Sequence, residues 1–281
     1  MSVEIIPTDQ ACGAEIRGID LTRPLSDSER ESCISALLTH KVIFFADQNL
    51  DDDGLERASL QFGPFGDDPF IAPIAGREHI IAVCRKANEK APIFAENWHT
   101  DWSFQEQPPA ATCLFGITVP PSGGDTWYAD QVAAAKALPS ELRRAIAGRQ
   151  GIHSAKLPYA PEGAYGDADR ATDRSMDIRA DRSAEATMLH PLLSPHPESG
   201  AERIYGCVGY LIGIEGIPDN ESLEILMALL EHQTQPEFVY QHQWKPKMLT
   251  LWDNRAVLHR ATGGYEGHDR LLHRTTIRSL A

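Results

Sequence analysis

The chain has 281 residues, 42% of them hydrophobic and 23% charged, with a formal net charge of −14. That length suits one large domain with a substantial core. The acidic field disfavours a nucleic-acid partner, since no basic cluster offsets it locally.

No apolar run reaches the length of a membrane span. The start, MSVEIIPTDQ, lacks the basic and apolar segments of a signal peptide. The expectation is a cytoplasmic protein that binds neither nucleic acid nor membrane. Five cysteines, Cys12, Cys33, Cys84, Cys113 and Cys207, include no CxxC pair. This argues against a disulfide framework and a thiolate zinc site, and most of the five should be small buried apolar groups.

Residues 3–20 read as short strands around a turn. Ser26 and Glu29 have the spacing of a capping box, opening a helix over 26–39 with Cys33, Ile34, Leu37 and Leu38 as its stripe. KVIFFAD (41–47) reads as a buried strand. A short helix over 51–62 ends at Phe62-Gly63-Pro64, and a Gly/Pro/Asp loop over 64–78 leads to a strand at 79–86.

NWHTDWSF (97–104) then places His99 and Asp101 two apart among Trp98, Trp102 and Phe104. On a β-strand such a pair shares one face, so the two side chains can meet at one point. ATCLFGITVP (111–120) is the next strand, 123–126 a turn, and 130–147 helical with a break near Pro139.

Over 154–187 periodicity dissolves. A stretch this long inside a compact domain is functional or disordered, so a mobile lid and a surface insertion both stand open. Strands return at 188–196 and 203–212. A helix follows with Leu223, Leu226, Met227 and Leu230 on one face. EFVYQHQW, MLTLWDNRAVLHRA and RLLHRTTIRS read as three closing strands. Many strands with peripheral helices, and neither repeat nor linker, predict a mainly β domain over 1–281, an antiparallel sandwich or barrel.

His259, on a later strand signal, completes a possible 2-His-1-carboxylate set with His99 and Asp101. That set leaves positions open on an octahedral metal and is diagnostic of non-haem Fe(II) oxygenases. Arg270 can return beside the metal and take a carboxylate in a bidentate fork, with a hydroxyl from Thr126. This is what a 2-oxo acid cosubstrate needs. A zinc hydrolase is also compatible with two histidines and a carboxylate, but the arginine argues against it.

With these residues in place, the chain resembles the taurine / 2,4-dichlorophenoxyacetate dioxygenase family of Fe(II)- and 2-oxoglutarate-dependent oxygenases. WHTDWSF (98–104), PPSGGDTWYAD (120–130), LHPLLSPHPESG (189–200), WDNRAVLH (252–259) and RLLHRTTI (270–277) carry the resemblance, with GAEIRGIDLTRPLSD (13–27) and VIFFADQ (42–48). It implies a double-stranded β-helix, or jelly roll. It also implies iron on His99, Asp101 and His259, and the distal carboxylate of 2-oxoglutarate on Thr126 and Arg270. Arg274 matches the arginine that holds the substrate's anionic group, a structural salt bridge being its competing role. Fe(II), 2-oxoglutarate and O2 would then yield succinate, CO2 and a hydroxylated product that can fragment. The carboxylate of Asp101 favours hydroxylation or desaturation over halogenation. A dimer or tetramer is the family expectation.

Departures from the family pattern bear on the substrate. Where taurine-type members place a histidine, FGPFGDDPF (62–70) offers Asp67 or Asp68. A carboxylate there would repel a sulfonate, and would instead meet an amine or point to solvent. Gly206-Cys207 replaces larger residues and should widen the pocket. Trp102, Phe104, Tyr159 and Tyr205 are candidate walls. The expected substrate is a small organic anion of carboxylate, sulfonate or aryloxyalkanoate type. An amine-bearing or neutral compound, and a non-catalytic metal-binding jelly roll, are the alternatives.

Overall fold

The apolar runs around Val42–Phe45, Leu249–Asp253 and Ala111–Thr118 form the centre of the larger sheet in the computed structural model, which describes residues 3–281. This sheet has seven strands, in the order Glu4–Pro7, Ala14–Arg17, Val42–Phe45, Leu249–Asp253, Ala111–Thr118, Arg270–Ile277 and Ile81–Arg85. Its pairings are antiparallel except where Ala14–Arg17 meets Val42–Phe45.

Alternation divides the side chains between two cores. Ile43, Phe45, Cys113, Phe115, Leu249 and Leu251 turn outward and pack with the helices Asp27–His40 and Asp52–Leu60. Val42, Leu114, Trp252 and Leu272 turn inward against Tyr128, Tyr240, Trp244 and Val257. Burial of both faces explains runs such as KVIFFAD that show no polar alternation. The Ser26–Glu29 capping box forms as expected, and Pro139 divides the 130–147 region into helices Gln131–Lys136 and Ser140–Ile146.

The facing sheet is ordered Val239–His242, Thr126–Asp130, Val257–Ala261. A single bridge between His99 and His259 adds His99 to its edge. A further three-stranded sheet, Leu211–Ile214, Gln150–Ser154 and Thr187–Pro191, and a pair formed by Leu193–Pro195 and Glu202–Ile204 complete the strands. The fold is a double-stranded β-helix with flanking helices.

Two expectations are corrected here. MLTLWDNRAVLHRA is two strands, not one: Leu249–Asp253 lies in the larger sheet and Val257–Ala261 in the facing one. The switch is made by Asp253, whose Oδ1 accepts the Arg255 backbone N–H at 2.9 Å and closes a local turn. Its Oδ2 accepts from His196 Nε2 and Arg255 Nη2, both at 2.9 Å. The SPHP segment therefore braces this corner.

In helix Asp219–Gln233 the buried face carries Ser222, Leu226, Leu229, His232 and Gln233, while Leu223 and Met227 are 57% and 50% exposed. Polar residues hide the true face from the apolar pattern because their donors find partners inside the fold, although Gln233 Oε1 does not. Gln233 Nε2 donates to Gln131 Oε1 and the Gly206 carbonyl, and His232 Nε2 bonds the Ala134 carbonyl at 2.8 Å.

Residues 154–187 contain the short helices Lys156–Tyr159 and Asp167–Arg170 and the 3-10 turn Arg182–Glu185. Polar ties hold this segment: Arg174 Nε meets Asp169 Oδ2 at 2.6 Å, and the Ser175 backbone N–H donates to Glu89 Oε2 at 3.0 Å. No helix among the described residues is long and apolar enough to cross a membrane.

Candidate metal centre and its cavity

His99 and His259 are joined through their backbones. Each N–H donates to the other's carbonyl, at 3.0 and 2.7 Å, and the rings lie 4.2 Å apart between centroids. His99 is a lone bridge residue rather than part of a strand, and Asp101 opens a turn. The shared-face argument from strand geometry therefore fails, although the convergence it predicted is present.

Side-chain bonds bring Asp101 in. The Thr100 hydroxyl donates to the Asn254 carbonyl, anchoring the turn on the sheet-switching corner. The Thr112 hydroxyl donates to Asp101 Oδ2 at 2.7 Å and accepts from Asn254 Nδ2 at 2.8 Å. Asp101 Oδ1 is left 3.9 Å from His99 Nε2 and 3.7 Å from His259 Nε2.

One ligand atom from each of the three residues lies within 4.8 Å of the others. The His99 Nδ1 bonds the Asn97 carbonyl at 2.8 Å, so that nitrogen carries the proton and Nε2 presents its lone pair. Burial lowers the His99 imidazole against the pull of Asp101, and it brings His259 down to about 3. Burial alone would raise Asp101, but Arg274, His259 and His99 hold it below the ordinary carboxylate value. Two neutral nitrogens and one anionic oxygen aimed at one point fit a divalent transition metal with open positions.

The second element is Arg270, on the same strand face as Arg274 and about 13 Å from it at about 3.3 Å per residue. Arg270 is buried. Its Nη2 donates to the Gly124 carbonyl at 3.1 Å, its Nε has no partner, and the nearest ring is Tyr265 at 6.0 Å. Burial pulls this guanidinium below its usual basicity.

The Tyr128 hydroxyl is likewise buried without a partner. Thr126 Oγ1 accepts from Trp244 Nε1 at 2.9 Å, so its own proton remains free to donate. A buried cation with open donors fits a carboxylate. Gly124 is needed here twice. Its φ is +69°, and a Cβ would lie 3.1 Å from Arg270 Nε.

A cavity of about 420 Å³ opens onto His99, Asp101 and Arg274, walled by Trp102, Tyr159 and Tyr210 and reaching outward to Trp98, Leu230 and Arg260. Trp102 and Tyr159 thus line it as expected. Phe104 does not: it packs against Phe70, Trp102 and Tyr210, at 5.7, 5.7 and 5.1 Å. Tyr205 lies elsewhere, beside His153 and His190 and under Arg203.

Gly206 and Cys207 do not widen the cavity either. A Cβ on Gly206 would strike the His153 ring at 2.5 Å, and Cys207 Sγ bonds the Trp98 carbonyl at 3.0 Å. The lining comes from the next three residues, Val208, Gly209 and Tyr210. Tyr210, edge-on to His99 at 6.3 Å, was missed because nothing separates it in sequence from a core tyrosine.

Asp68 meets neither an amine nor solvent. It accepts from Arg274 Nη2 at 2.9 Å, Trp102 Nε1 at 2.8 Å and Thr276 Oγ1 at 3.1 Å. Arg274 Nη1 also lies 3.3 Å from Asp101 Oδ1, and its guanidinium sits over the Trp102 ring at 5.1 Å. Trp102 has φ +48°, a left-handed conformation costly for a bulky side chain. The turn holds it there so that one ring packs on Arg274 and bonds Asp68.

A family model described as "Taurine catabolism dioxygenase TauD, TfdA family" matches residues 4–276. The chain is 30% identical to an alpha-ketoglutarate-dependent sulfate ester dioxygenase of Pseudomonas putida, over 99% of this chain and 90% of that one. It is 33% identical to an alpha-ketoglutarate-dependent 2,4-dichlorophenoxyacetate dioxygenase of Cupriavidus pinatubonensis, over 92% of each. Among solved structures, a taurine dioxygenase from Burkholderia xenovorans superposes with a TM-score of 0.80 at 31% identity, covering 99% of this chain and 92% of that one.

Proposed function

Because the chain belongs to the taurine catabolism dioxygenase TauD, TfdA family and is an Fe(II)- and 2-oxoglutarate-dependent dioxygenase, we propose that His99, Asp101 and His259 hold its iron. Thr126 and Arg270 hold the distal carboxylate of 2-oxoglutarate. The reaction is hydroxylation of an unactivated C–H of a small organic anion, with fragmentation where the hydroxylated carbon carries a leaving group. One observation carries the reading: three ligand atoms lie within 4.8 Å of one another, and a buried guanidinium with no carboxylate bonded to it, that of Arg270, stands four residues from Arg274 on the same strand, lining a small adjoining pocket.

Bound iron, 2-oxoglutarate and O2 supply the oxidising chemistry, releasing succinate and CO2 as oxygen enters the substrate. The chain's own residues position and shield. Thr112 and Arg274 fix the Asp101 carboxylate, Asn97 sets the His99 tautomer, and Trp102, Tyr159 and Tyr210 wall the reacting carbon from water. The substrate class draws on relatives named for sulfate esters, 2,4-dichlorophenoxyacetate and (S)-phenoxypropionate. Asp68 is engaged by Arg274, so it is not free to receive an amine.

Residues 154–187, which supply Leu157, Tyr159 and Tyr165 to the cavity, act as its lid. The domain spans 1–281, and we assign it to the cytoplasm as a homo-oligomer. The test is anaerobic Fe(II) reconstitution with 2-oxoglutarate. A visible charge-transfer band is expected, and iron-loaded protein without the band would overturn the cosubstrate assignment.

A further inference from the structure

Two arginines line the cavity, and they differ in what already occupies them. Arg274 lies deep, and the carboxylates of Asp68 and Asp101 are 2.9 and 3.3 Å from its nitrogens. Asp68 accepts from Arg274, Trp102 and Thr276, so that edge of the Arg274 guanidinium is already turned to a carboxylate, whose pKa burial raises and Arg274 draws back down. An anion placed on Arg274 would therefore sit beside Asp68 and be repelled by it.

Arg260 follows His259 and projects from the opposite face of the strand, so it meets the cavity at its outer rim. No carboxylate among the described residues pairs with it, whereas Arg274 has two; the Nε of each arginine is buried without a partner. Trp98 and Trp127 each lie 5.8 Å from its guanidinium carbon. Rings so placed orient a guanidinium and reduce its hydration, leaving its Nη edge for a bidentate oxyanion. Much of the lining they share is apolar or aromatic, with Leu230, Val208, Leu157, Tyr159 and Tyr210. Leu157 is 54% exposed and offers its side chain to a passing chain.

We propose that the substrate's anionic group is seated on Arg260 at the mouth of the cavity, not on Arg274 beside the metal. The substrate is then an elongated amphipathic anion, oxidised at a carbon remote from its charge. This rests on the dioxygenase reading above.

The test is anaerobic calorimetry on the enzyme loaded with Fe(II) and 2-oxoglutarate, titrated with octyl sulfate and with 1-octanol. Wild type should bind the sulfate at least 10-fold more tightly, as expected for a charge-assisted bidentate contact. Arg260→Gln should abolish that difference. Arg260→Lys, which keeps a charge between the tryptophans, should retain part of it and guards against a folding defect. The inference is overturned if Arg260→Gln keeps the preference, or if wild type shows none. The charge-transfer band separates the two readings. A band present with no effect at Arg260 removes only this inference, whereas a missing band removes the reading beneath it.

Discussion

Asp68 and Arg274 form a buried ion pair at 2.9 Å across more than two hundred residues of sequence, directly beside the proposed metal position. The residue that departs from the family pattern and the residue expected to grip the substrate are thus paired with each other.

Replacing Asp68 by Asn should uncover Arg274. Short anions such as ethanesulfonate, too small to span from the rim, should bind about 10-fold more tightly, as a desolvated charge pair gains roughly 1.4 kcal/mol or more. Competition calorimetry would measure it. The same variant should lower the melting temperature, since one partner of a buried pair is lost. Unchanged affinity for short anions would mean that Asp68 does not set the charge of the inner pole.

Arg270→Ala should raise the 2-oxoglutarate requirement by about 100-fold, the scale expected for losing a buried guanidinium–carboxylate contact. Iron affinity should stay within about 3-fold, because Arg270 belongs to no ligand's hydrogen-bond set. Succinate release against 2-oxoglutarate concentration, with a parallel iron titration, separates the two effects.

Thr112→Val removes the hydroxyl that donates to Asp101 Oδ2 while keeping the shape. Iron affinity should fall about 10- to 100-fold, the usual cost of losing a bond to a ligating carboxylate. His99→Ala, by contrast, should abolish iron binding at micromolar metal. Chelator competition reads both.

Acid stability should report the sheet-switching corner. Burial opposes ionisation of Asp253, but hydrogen bonds from His196 and Arg255 bring it down to about 2. An unfolded aspartate titrates near 3.9. A depressed folded value stabilises above the unfolded value and is lost as pH falls from about 4 towards 2. The difference is worth about 2 to 3 kcal/mol. Urea unfolding at pH 6 and at pH 2.5 should show wild type losing about 2 kcal/mol more than Asp253→Asn.

Sequence pattern reports burial well and partners poorly. The Ser26–Glu29 cap, the helix break at Pro139 and the His99, Asp101 and His259 set were all legible, because each depends on local chemistry or on spacing. Phe104 and Tyr205 read like pocket walls because an aromatic facing a cavity and one facing a core carry the same signal. The pairing of Asp68 with Arg274, the bracing of Asp253 by His196 and the polar buried stripe of helix Asp219–Gln233 are long-range contacts. No local window contains them.

The reciprocal backbone bonds between His99 and His259 have one more consequence. The separation of these two proposed ligands is fixed by the main chain, at inter-strand spacing, before any metal arrives. Their bite is therefore inherited with the fold and is insensitive to which side chains surround it. Iron enters a seat already shaped, and stripping it should leave a folded protein that reloads without refolding. Substrate preference can drift through Asp68, Arg260 or the 154–187 segment while the oxidising centre is left unchanged.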